Sequence, residues 1–116
     1  VLVARPANTV VTALESAATA TPDSVALVFE DTEFSYAQLH ARANRMAHWM
    51  IRNGIGPEDI VGLQMTTSVE FIVAMFAVLK AGAAYLPIDP AFPVDRIEYL
   101  VSDARPRLVI RREEFD

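Results

Sequence analysis

Between Ser68 and Lys80 the chain reads SVEFIVAMFAVLK, a run whose polar side chains stand only near its ends. At helical spacing Phe71, Ile72, Met75, Phe76 and Leu79 share one face, and Val69, Val73, Ala74, Ala77 and Val78 leave almost no polar face opposite them. A helix that is apolar all round has to be covered on all sides, by protein or by lipid. Lipid fails on length: a spanning helix needs roughly 20 apolar residues, and this run meets Lys80 and Gly82 first. The segment is therefore a buried helix. In a layered unit of 116 residues a helix normally keeps one wet face. Cover from outside this chain is thus expected, with a contiguous apolar patch bared in its absence.

The flanks of this helix set the rest of the order. Thr67 and Glu70 read as a capping box in front of it, and Gly82 as its C-terminal stop. A second box, Ser35 with Gln38, precedes the apolar stripe Tyr36, Leu39, Ala43, Met46 and Met50, with Gln38, Arg42, Arg45 and Arg52 on the wet side, and Asn53-Gly54 closes that helix. Upstream, residues 1–8 read as a linker, and a helix from Thr9 carries Val10, Val11, Leu14 and Ala18 inward until Thr21-Pro22-Asp23 stops it. Val25 to Phe29 and Glu33-Phe34 pair as a hairpin around Glu30-Asp31.

Strands are expected at Ile60 to Met65, Ala84 to Leu86 and Leu108 to Ile110, with a helix from about Pro93 to Ser102 turning Ile97, Leu100 and Val101 inward. Pro87 and Pro90 should end the middle strand, because proline offers no N–H to a ladder. Asp89 suits a tight turn, and Pro93 presets the first turn of the next helix. Strands alternating with helices imply a parallel, doubly wound α/β sheet formed by residues 9–116 as one unit.

Composition narrows the function. With 53% hydrophobic residues the chain can bury one core. Its charge of −5 is spread along the sequence, so no basic stripe is expected, and neither nucleic acid nor an anionic membrane is an expected partner. No cysteine is present to form a disulfide or a thiolate metal site, which fits a reducing cytosol and a cytoplasmic location among other places. Val1 to Ala4 lead into Arg5-Pro6 without the long apolar stretch of a secretory signal, and the absence of an initiating Met suggests a piece of a longer chain.

Two motifs carry a resemblance. "LKAGAAYLPIDP", Leu79 to Pro90, closely resembles a signature of the adenylation domains of nonribosomal peptide synthetases, within the acyl-adenylate-forming superfamily. "FSYAQL", Phe34 to Leu39, is similar to the family's first signature, and "TPDSVAL", Thr21 to Leu27, to the lead-in of its first strand. Order and distance agree, the similarity covers nearly all of Thr9 to Ile110, and the Tyr-Leu-Pro-Ile-Asp-Pro form points to members that activate amino acids.

The resemblance implies a parent that uses ATP and Mg²⁺ to make an aminoacyl adenylate, then passes the amino acid to the phosphopantetheine thiol of a peptidyl carrier domain. It also implies that this chain matches only the first part of the large N-terminal domain. The family's phosphate loop, a Thr/Ser/Gly run ending Pro-Lys-Gly, has no counterpart, since the four glycines are Gly54, Gly56, Gly62 and Gly82. The family's adenylating lysine and its substrate pocket lie downstream. No catalytic, cofactor-binding or metal-binding residue is carried over, and the chain alone is expected to be inert. The alternatives are a parent that activates an aryl or fatty acid, or a non-catalytic α/β interaction module.

Other candidate residues have two readings each. Thr66-Thr67-Ser68 follows a strand and opens a helix, where open α/β sheets often bind ligands, yet a hydroxyl there also simply caps the helix. His40 and His48 share a helix with no Asp, Glu or Cys clustered near them in sequence, which favours surface or packing histidines over ligands. The carboxylates of Glu58-Asp59 and of Glu113-Glu114 should point apart and be solvated. Tyr36, Trp49 and Tyr85 fit core or rim positions better than an adenine stack, and Lys80 complements a helix C-terminus more simply than it pairs with phosphate.

Overall fold

The computed structural model describes residues 8–111. Helix α1 (Asn8–Ala20) leads into strands β1 (Val25–Phe29) and β2 (Thr32–Ser35), helix α2 (Tyr36–Arg52), strand β3 (Ile60–Gln64), helix α3 (Val69–Lys80), strand β4 (Ala84–Ile88), helix α4 (Val94–Ala104) and strand β5 (Leu108–Arg111). Up to residue 7 the expected linker lies outside the described residues, and Asn8 already stands in α1. β1 and β2 pair antiparallel with Phe29 opposite Thr32. Between them Glu30 and Asp31 hold φ 50° and 65°, the left-handed pair of a tight hairpin turn whose twist matches that of its strands.

β3 lies in the middle of a parallel sheet of order β4-β3-β5. The step from β3 through α3 to β4 goes one way, and the step from β4 through α4 to β5 returns past β3. Right-handed crossovers in opposite directions put α3 and α4 on opposite faces, so the sheet is doubly wound as expected. On the α3 side Val61, Leu63 and Ile110 pack with Met50, Ala74, Ala77 and Val78. Alternation sends Gly62 to the other face. A Cβ there would stand 3.2 Å from both Ile88 Cδ1 and Val109 Cγ2, so the missing side chain lets β4 and β5 close over the middle strand.

Three expectations need correction. β4 does not end before Pro87 but runs through it to Ile88, with Pro87 opposite Leu63. Among the described residues β4 is an edge strand, where alternate residues turn away from the neighbour and a proline is tolerated. The cap of α3 is Ser68, not Thr67: Ser68 is extended at φ −162° and ψ 177°, and its Oγ accepts the Phe71 N–H. Starting there turns Val69 and Val73 onto a cluster with Leu14 and Leu39, backed by Phe34 and Phe29.

The third correction, which concerns cover, is partial, since Phe71, Ile72, Met75 and Phe76 of α3 stay half-buried. Within the described residues α2, α1, β3 and β4 already pack on α3, burying Val69, Val73, Ala74, Ala77, Val78 and Leu79. The thinly covered element is α4, which packs on β4, contains no buried residue and leaves Val94 and Tyr99 71% and 65% exposed. Its Ile97, Leu100 and Val101 point inward only to half-burial.

Candidate functional site

β3 hands the chain to one face of the sheet and β4 hands it to the other, so the two connections part at the carboxyl ends of neighbouring strands. A crevice has to form there, the usual ligand position in open α/β sheets. In this chain it has a volume of about 360 Å³. Met65, Thr66, Thr67 and Phe71 form the wall that runs from β3 into α3, and Pro87, Ile88 and Asp89 form the β4 wall.

Each wall has its own local cause. The hydroxyls divide: Ser68 is buried and spent on the Phe71 N–H at 3.2 Å, while Thr66 and Thr67 stay exposed. The capping reading is therefore realised on Ser68, while Thr66 and Thr67 line the crevice. Asp89 builds the turn that its sequence suggested, with Oδ1 accepting from the Ala91 N–H at 2.9 Å and its carbonyl from the Phe92 N–H at 3.0 Å. Tyr85 braces Phe71 edge-on, with ring centroids 6.4 Å apart. The crevice thus offers two hydroxyls, one carboxylate already engaged in a turn, and an apolar lining.

This set does not fit a nucleotide triphosphate with its metal. The glycines with positive φ, Gly54 and Gly82, precede β3 and β4 and so stand at the opposite ends of those strands, against Arg107 and Pro57. Lys80 also stands away from the crevice, at the far end of α3. Its side chain is 7% exposed, and its Nζ donates to Glu15 Oε2 at 3.3 Å. It ends α3, as the dipole reading requires, but its partner is a carboxylate of α1, which the sequence did not suggest. Among the described residues no three His, Cys, Asp or Glu gather around a metal position.

The remaining candidates are dispersed. His48 is exposed, and His40 is a half-buried packing residue. Trp49 is a rim residue, 41% exposed, and Tyr36 packs on the cluster around Leu39. Glu58 and Asp59 do not share a site: Glu58 is exposed, whereas Asp59 Oδ2 accepts the Gly56 N–H at 2.8 Å and Oδ1 lies 3.7 Å from Arg107. Asp59 is therefore structural, not merely solvated. Glu113-Glu114 lie outside the described residues. The expectation of no basic stripe fails locally, since α2 carries no acidic residue and exposes Arg42, Arg45 and Arg52 along one flank. Three arginines on a chain of charge −5 remain a small counter to the acidic whole.

A family model for AMP-binding enzymes matches residues 14–116. The chain belongs to that family. It is 50% identical over 96 residues to a dimodular nonribosomal peptide synthase of Bacillus subtilis, covering 83% of this chain and 4% of the relative. It is 42% identical over 102 residues to tyrocidine synthase 3 of Brevibacillus parabrevis, covering 88% of this chain and 2% of that protein. An artificially fused adenylation–PCP di-domain nonribosomal peptide synthetase from Klebsiella oxytoca superposes with a TM-score of 0.82 at 27% identity, covering 88% of this chain and 19% of that one. The chain therefore spans a small part of the relatives that it matches. The β4 wall of the crevice coincides with the PID portion, Pro87 to Asp89, of the Leu79 to Pro90 signature. In sequence that stretch reads as a strand end and turn before the next helix, and its position on the crevice went unread. The signal was available in the alternation of strand and helix, because a doubly wound parallel sheet opens such a crevice where its crossovers change direction.

Proposed function

We propose that this chain is the first part of the large N-terminal subdomain of an amino-acid-activating adenylation domain in a nonribosomal peptide synthetase. The observation that carries the reading is the 50% identity over 96 residues to a dimodular nonribosomal peptide synthase, with both signatures in place on β2–α2 and α3–β4. On this reading residues 1–7 are the tail of a linker, residues 8–116 belong to the subdomain, and the parent works in the cytoplasm. The parent consumes ATP with Mg²⁺, forms an aminoacyl adenylate, and transfers the amino acid to a carrier-domain phosphopantetheine thiol. The remainder of the adenylation domain would cover α4, and the catalytic groups would come from it. The crevice between β3 and β4 then serves as one wall of a larger cleft, and its residues bind or shape without taking part in bond making.

Amino-acid-dependent exchange of pyrophosphate into ATP tests this. The full-length protein is expected to exchange with one or a few amino acids, and residues 1–116 alone with none. Exchange driven by fatty or aryl acids instead would move the parent to the other branch of the family. Exchange by the isolated chain would overturn the reading of it as a catalytically incomplete part.

A further inference from the structure

Three helices meet at a group of ionisable side chains that this reading leaves without a task. Lys80 is the only lysine in the chain. It ends α3 almost out of water and is tied to Glu15 of α1 at 3.3 Å. His40 of α2 sits in the field of both. Its Nδ1 lies 3.5 Å from the Asn44 side-chain amide, and its Nε2 is buried with no hydrogen-bond partner. Burial first, and then the Lys80 charge, hold the imidazole below the usual histidine range, while Glu15 pulls the other way.

Other charges on the elements packed here stand apart. Glu15 is the only charged residue of α1, and β1 has none. Glu33 on β2 and Arg42 and Arg45 on α2 are exposed. Glu70 opens α3 ten residues before Lys80, about 15 Å of helix away. Among the described side chains of α1 only Leu14 is buried, with Val11, Ala17 and Ala18 half-buried.

We propose that Glu15, His40 and Lys80 form a proton-operated latch on α1: with His40 neutral, the Lys80–Glu15 pair closes the helix onto α2 and α3, and a proton on His40 opens it. The added proton makes both ring nitrogens donors. Nε2 then carries a charged N–H without an acceptor, in the field of an ammonium that is itself desolvated. Glu15 becomes the carboxylate for which two cations compete, and the loser is left unpaired. Separating α1 admits water to both. The sign follows from linkage: the detached state binds the proton more readily, so attachment is complete above the ordinary histidine value of 6.5 and is lost as pH falls below it.

Hydrogen exchange in the full-length protein that carries this chain decides the matter, after correction for the intrinsic pH dependence of exchange. Between about pH 8 and pH 5, protection over Leu14–Ala20 is expected to fall severalfold while Ala43–Met50 keeps its protection. His40→Gln should abolish the fall, and Lys80→Met should shrink it by removing the cation that opposes the proton. A pH-independent α1 in the wild type overturns the proposal, as does the same fall in either variant. Lys80→Met decides alone if His40→Gln does not fold. None of these readouts depends on adenylation, so the latch and the proposed activity fail separately.

Discussion

Gly82 shows how one residue can shape a signature through backbone conformation. It follows the last turn of α3 with φ +86°, a conformation that strains any L side chain, and a Cβ would meet Pro57 Cγ at 3.7 Å. Space is adequate there and backbone conformation is not. Gly82→Val is expected to cost about 1 kcal/mol or more, measured as a lower denaturation midpoint of the full-length protein. Specific activity per folded molecule should be retained; a well-folded variant without activity would place this residue in the reaction. Lys80, two positions earlier, illustrates the opposite case, because its role depends on Glu15, sixty-five positions away in sequence.

At the scale of elements, helix starts are settled by a few local bonds. α2 begins with a complete capping box, in which Ser35 Oγ accepts the Gln38 N–H at 3.1 Å and Gln38 Oε1 accepts the Ser35 N–H at 2.8 Å. α3 begins with half of one, at Ser68. Ser68→Ala is therefore expected to destabilise by about 0.5–2 kcal/mol, while Thr67→Ala should change stability by a few tenths at most, its side chain being exposed. Chemical denaturation of the two variants in parallel checks the assignment, and equal losses would return the cap to Thr67. If Thr67→Ala keeps stability but raises the KM for ATP or amino acid, the crevice hydroxyls contribute to binding in the parent.

Among the described residues the two most exposed large hydrophobic side chains, Val94 and Tyr99, stand on α4, across the sheet from the most hydrophobic helix. α3 buries six residues within the chain and keeps Phe71, Ile72, Met75 and Phe76 half-buried, while α4 buries none, holds Ile97, Leu100 and Val101 at half-burial and exposes Val94 and Tyr99. Isolated residues 1–116 should accordingly bind a hydrophobic dye, and Val94→Lys with Tyr99→Lys should reduce the signal severalfold without loss of helix content. Undiminished dye binding would locate the bared surface elsewhere, and a monomeric chain with no dye binding at all would favour a free-standing module.

What the sequence determined by itself was whatever depends on neighbours a few residues apart. The alternation of strand and helix, the Ser35–Gln38 box, the turn at Glu30-Asp31 and the Gly82 stop all rest on local bonds or local pattern, and the motifs on this frame were enough to indicate the family. Tertiary structure alone decided the rest. Whether Pro87 ends a strand depends on that strand lying at an edge. Which hydroxyl caps α3 depends on which register turns Val69 and Val73 onto Leu14 and Leu39. The partner of Lys80, the latch position of His40 and the crevice between β3 and β4 arise only when distant elements meet. Periodicity says that a face must be buried, but the element that buries it is chosen by packing across the whole chain.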